Sequence, residues 1–181
     1  MRPAILLLLV FALVPRPHAA AQNSDYTLSD KEVEQLRDAA YFPAERVLVF
    51  IKFLDHRSAA IQDLFSHTRK PGREQDAHDL LEQFTSIADE LEDNLDDYGP
   101  HHRDIRKSLP KLLAATDRWS SQLRTPPEDD AYSLSRKLAL EAIRDIRENA
   151  TRLTEEQRAW FALHPPSKTN DNAVDPALTP R

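Results

Sequence analysis

Four side chains able to ligate a divalent cation stand close together in the sequence: Asp93, Asp97, His101 and His102. Carboxylate oxygens and imidazole nitrogens are common ligands of such ions, and residues four apart on a helix share a face. The four close an unusual stretch. From Glu74 to Tyr98 there are ten acids and no Lys or Arg. Asp89, Glu90, Glu92, Asp93, Asp96 and Asp97 crowd its last turns, where a helix end is already partly negative. A second reading needs no metal. The next segment carries Arg103, Arg106, Lys107, Lys111, Arg118 and Arg124 against two acids. A fourth helix lying antiparallel beside the third would bring Arg103, Arg106 and Lys107 to the acidic turns. His56, Asp63 and His67 share one polar helical face, and they fit joint chelation or plain surface polarity equally.

Composition removes most other chemistry. The chain has 181 residues, no Cys, two Gly, and Met1 as its single Met. Without Cys there is no thiol catalysis, disulfide, zinc ribbon, iron–sulfur ligation or lipidation site. Two glycines leave no Gly-rich phosphate loop or dinucleotide fingerprint. No HExxH pair, nucleophile elbow or EF-hand loop is present. No His falls on an expected core position, which sets haem ligation aside. The expectation is a non-enzymatic protein with no cofactor beyond an optional divalent cation.

Helices must position these residues. Ser29 with Glu32 is a capping box opening a helix to about Tyr41, and Pro43 breaks it. A second helix is expected over 44–69. Val47, Phe50, Ile51, Leu54, Ile61, Leu64 and Phe65 form its apolar stripe. Leu48 and Val49 fall outside that stripe, so an apolar groove or dimer face is expected around Leu48, Val49 and Phe53. In a third helix over 74–98, Ala77, Leu81, Phe84, Ala88, Leu91, Leu95 and Tyr98 keep strict 4-3 spacing. Ile105, Leu109, Leu112, Thr116, Trp119 and Leu123 repeat it over 101–124. Pro110 either kinks that fourth helix or marks its true start after Ser108. The fifth opens at Glu128-Asp129-Asp130 and points Leu138, Ala142, Ile146 and Leu153 inward. Trp160, Phe161 and Leu163 extend the signal before Pro165-Pro166. The fold class is all-α, an elongated antiparallel bundle of four long helices plus a short N-terminal one.

The N-terminus reads as a secretory signal over 1–21. Arg2 precedes an apolar run over 4–14, and Ala19-Ala20-Ala21 offers a cleavage site. The run is too short to span a bilayer, which takes about 20 residues, so no stable membrane insertion is expected after cleavage. Processing takes the formal charge from −6 to −8 by removing Arg2 and Arg16. Such a charge disfavours nucleic acid as a partner. A flexible lead over 22–28, a bundle domain over 29–164 and a disordered Pro-rich tail over 165–181 complete the expected layout. An exported chain without Cys points to a bacterial periplasmic or secreted protein.

Leu153-Thr154-Glu155-Glu156-Gln157 resembles the LTxxQ element of the periplasmic Spy/CpxP family, small exported helical proteins, and Leu28-Ser29-Asp30-Lys31-Glu32 is a looser echo. The resemblance implies an ATP-independent chaperone or envelope-stress role. The same pattern is also that of a helix-capping box. The leading functional expectation is protein–protein interaction, with a protein partner or self-association. The alternative is a periplasmic bundle binding a divalent metal or small ligand. The signal makes a first prediction. N-terminal sequencing of the exported protein should start near Gln22; an intact Met1 would refute cleavage.

Overall fold

A computed structural model describes residues 27–165. The expected signal over 1–21, most of the lead and almost all of the tail lie outside the described residues. Five helices make up the rest: α1 (Asp30–Asp38), α2 (Pro43–Ser66), α3 (Arg73–Tyr98), α4 (Leu109–Arg124) and α5 (Ser133–Leu163). No strand occurs among the described residues. Local chemistry sets the starts. Pro43 opens α2 and Pro110 lies in the first turn of α4, where a missing N–H costs nothing. Gly72 precedes α3 at φ 87°, a left-handed turn that a Cβ would disfavour. The fourth helix therefore begins after Ser108, the second of the two expected outcomes at Pro110, and 101–108 is not helical. The fifth begins at Ser133 rather than at the acids of 128–130.

Cross-helix hydrogen bonds fix the arrangement. Arg46 reaches Asn94 and Arg57 reaches Gln83, so α2 and α3 run antiparallel. Asp55 meets Trp119 and Gln62 meets Gln122, so α2 and α4 run parallel. His78 meets Ser135 and Asp96 meets Asn149, so α3 and α5 also run parallel. Arg147 pairs with Asp117 while Gln157 binds the segment before α4, so α4 and α5 are antiparallel. Each helix of this ring packs on two others, α2 on α3 and α4, and α5 on α3 and α4. The helices α3 and α4 stand across the diagonal. They meet through the centre, where the Phe84 and Trp119 rings pack edge to face at 5.7 Å.

This order corrects the expected neutralisation of the acidic helix. Because α4 is diagonal to α3, its bases are not the partners. Glu90 pairs with Arg46 of α2 at 3.5 Å, and Asp96 accepts from Asn149 of α5 at 2.8 Å with Arg152 at 3.8 Å. Burial, followed by repulsion from Asp93, pushes the Asp89 carboxyl up. Burial also raises that of Glu92, against a lowering contact with Asn149.

The 4-3 residues of α3 and α4 are buried throughout, from Ala77 to Tyr98 and from Leu109 to Leu123. In α5 the inward stripe is Ala139, Ala142, Ile143, Ile146, Ala150 and Leu153. Leu138, expected inward, is 46% exposed. Phe53 also departs from expectation. It is 2% exposed and belongs to the core, so it cannot offer a docking face. The cause is α1, which lies antiparallel along α2 and is tied to Arg46, Lys52 and Arg57 on either side of Phe53. Leu48 and Val49 are half-buried against the same core.

One carboxylate pins α1. Glu32 closes the capping box on Ser29. It also takes a two-pronged contact from Arg57, with Nη1 to Oε1 at 2.7 Å and Nη2 to Oε2 at 2.9 Å. Arg57 further donates to the Thr27 carbonyl, so the last residues of the expected lead are held in place. The Arg57 guanidinium is the main cause that lowers the Glu32 pKa from 4.5 to about 2. A lowered folded-state pKa stabilises the fold above the unfolded value and is lost as pH falls through the folded one. The shift corresponds to at most about 3 kcal/mol at neutral pH, at 1.36 kcal/mol per unit. Glu32→Gln should therefore destabilise the protein clearly in urea at pH 7, and the gap from the parent should close between about pH 4.5 and 2. An equal gap at both ends of that range would show that the carboxylate charge is not the anchor.

Candidate functional site

The expected cation ligands are not gathered around one point. His101 Nδ1 lies 3.1 Å from Asp97 Oδ1, and 2.7 Å from the Asp97 carbonyl. Asp93 stays exposed on the helix, and His102 turns away to stack on Trp160. His67 pairs with Asp63 at 3.5 Å while His56 sits against Arg57. Among the described residues no group of three or more His, Asp or Glu is placed to hold a metal ion.

The chemistry concentrates instead at the end of the bundle where the chain leaves α3 and crosses to α4. The crossing segment runs over 99–108, outside any helix, so its amides and carbonyls need partners. Gln157 supplies two. Its Oε1 accepts from the Ile105 amide at 3.1 Å and its Nε2 donates to the Arg103 carbonyl at 2.8 Å. Both Ile105 and Gln157 are buried. Four residues earlier, Leu153 fills the core beneath the crossing. A Cβ on Gly99 would meet its Cδ2 at 3.0 Å, so the backbone comes this close because position 99 is glycine. Thr154 donates to the Ala150 carbonyl in mid-helix. The capping-box reading of 153–157 thus fails, because these residues lie inside α5. In contrast, the box at Ser29 is formed.

Aromatic side chains project beyond this clamp. The Trp160 indole is sandwiched between His102 at 3.5 Å and His164 at 3.9 Å, nearly parallel on both faces. His102 adopts a positive φ of 50° to reach it. On the other side of α5, Arg106 lies over the Phe161 ring at 4.1 Å, held by Asp104. That contact is the first cause lowering the Asp104 carboxyl. Two open grooves flank the helix end. One, of about 460 Å³, is walled by Gly99, Pro100, Ala159, Trp160 and Leu163. The other, of about 380 Å³, is walled by Leu109, Pro110, Phe161 and Ala162. Leu163 is 79% exposed.

No protein-family profile, curated protein or solved structure matches the chain.

Trp160, Phe161 and Leu163 were visible in the sequence as an apolar extension, but their pairing with His102 and Arg106 was not. Those contacts join residues more than fifty apart in the chain. The Gln157 clamp yields a prediction. Gln157→Leu keeps the volume but strips the Ile105 amide and Arg103 carbonyl of their partners, and should cost about 2–3 kcal/mol. Hydrogen exchange at the Ile105 amide should rise more than exchange in the middle of α3. Unchanged stability and exchange would mean that water replaces the side chain.

Proposed function

We propose that the protein acts outside the cytoplasm, as an exported helical bundle that holds apolar segments of another polypeptide. The bundle of four long helices and a short N-terminal one serves as a stiff support. At the standard rise α5, with 31 residues, is about 46 Å long. The observation carrying the reading is the helix tip: two open apolar-walled grooves beside Trp160 and Phe161, with Leu163 largely exposed. Adjacent apolar side chains kept in water mark interaction surfaces. Aromatics with a polar rim are the usual anchors of such contacts. Arg106, Arg152 and Arg158 surround the tip and can meet carbonyls or acids of a bound chain.

One further feature agrees. The Leu153–Gln157 segment that resembles the LTxxQ element builds the floor of this tip, in keeping with a chaperone-like role. The reading puts the interaction surface at the end of α5 rather than around Leu48, Val49 and Phe53, where Phe53 is part of the core and Leu48 and Val49 are only half-exposed.

The test uses an aggregating, chemically unfolded polypeptide as client. The parent protein should slow its light-scattering rise. Ala159→Asp with Leu163→Asp should abolish most of that effect. Both positions are exposed, so the melting temperature should move by no more than about 2 °C. A double variant as effective as the parent would overturn the reading, as would a parent with no effect on the client.

A further inference from the structure

At the other end of α5 the surface has the opposite character. A groove of about 560 Å³ runs between the last turns of α4 and the first turns of α5. Arg124, Arg136, Lys137, Arg144 and Arg147 line it, against the acids Glu128 and Glu141. Three more acids, Asp117, Asp145 and Glu148, pair with the lining bases Arg147 and Arg144, so the uncompensated positive charge of the groove rests on Arg124 and Lys137. The bases are not all neutralised. Arg136 pairs with Glu128 and is anchored on the Pro126 carbonyl at 2.9 Å. Arg147 pairs with Asp117, and Arg144 with Asp145. Among the described residues, Arg124 and Lys137 have no acidic partner within 4 Å, and both are exposed.

The backbone adds to this field. No side chain caps the N-terminus of α5, its first turn holds no acid, and Ser133 of that turn lines the groove. The positive end of a 31-residue helix therefore lies beside the same groove as the basic side chains. Lys137 and Arg144 stand seven residues apart on α5, with Arg147 three further on. Glu141 stands between the first two, and Arg144 and Arg147 are held in ion pairs, which leaves Lys137 with Arg124 as the bases free to meet a ligand. Arginine forks match the paired oxygens of phosphate and carboxylate groups.

We propose that this groove binds a small oligoanion, a molecule carrying two or more phosphate or carboxylate groups. Its volume lies in the range of small-ligand sites, which favours a compact ligand over an acidic protein surface. One group would sit at Lys137 and the uncapped turn of α5, and a second between Arg124 and Arg144. Buried Arg136 forms the fixed wall behind them.

Isothermal titration of the exported chain with tripolyphosphate, and separately with citrate, tests this. The parent should bind at least one of them saturably, with one site. Arg124→Gln with Lys137→Gln should weaken that binding about tenfold or more, since each charged contact contributes on the order of a tenfold factor. Because neither residue holds an ion pair, the melting temperature should not fall. Lys107→Gln with Lys111→Gln removes the same charge from the start of α4 and should leave binding intact. Preference for tripolyphosphate assigns a phosphate ligand, and preference for citrate a carboxylate one. The proposal is overturned if the parent binds neither anion, or if both double variants lose affinity equally. It is also overturned if the protein sediments with phosphatidylglycerol vesicles but ignores both free anions, which would make the groove a lipid-surface contact.

Discussion

A chain that must leave one corner of a four-helix ring and enter at the opposite corner crosses the bundle end without a helix to satisfy its backbone. Residues 99–108 make that crossing, and the structure around them follows from it. Gly99 lets the backbone settle against Leu153. Gln157 pairs the amide of Ile105 and the carbonyl of Arg103. Ser108 turns its hydroxyl onto the Ile105 carbonyl just before Pro110 starts α4. Beyond the clamp, His102 and Arg106 are delivered to Trp160 and Phe161. The groove walls at the tip thus depend on one buried amide side chain.

Charge is distributed by the same topology. The acids of α3 find Arg46 on one side and Asn149 with Arg152 on the other, because α2 and α5 flank it. The bases of α4 are released from that duty. Arg118 turns to Asp55, and Arg124 is left facing the groove beside α5. Hence the molecule has an aromatic end and, at the other, two bases without acidic partners among the described residues, Arg124 and Lys137, on a chain that is acidic overall.

Periodicity made the helices legible. Every position that the 4-3 spacing marks in α3 and α4 is buried, while Ile87 and Ala115, also buried, fall beside the stripe because each helix packs on two neighbours and on the helix across the centre. The start at Pro110 was one of two readings that the sequence allowed. Leu138 was misplaced because the buried stripe of α5 begins on Ser135, Arg136 and Ala139, small or anchored residues that carry little apolar signal. Phe53 was misplaced because the cover comes from α1, held by an Arg57–Glu32 contact that no local pattern reveals. The segment Leu153–Gln157 stood out in the sequence, whereas its clamp on Arg103 and Ile105 depends on a tertiary contact.

The ring order makes the bundle two antiparallel hairpins, α2 with α3 and α4 with α5, laid side by side. Contacts within a hairpin close short loops. Those between hairpins, such as His78 with Ser135 or Asp55 with Trp119, join residues 57 and 64 apart. Loop closure over such distances is slower than local helix pairing. The topology ties two hairpins together through one connection. The crossing segment is their tether, so its length and tightness govern whether a half docks on its own partner or exchanges with that of another molecule.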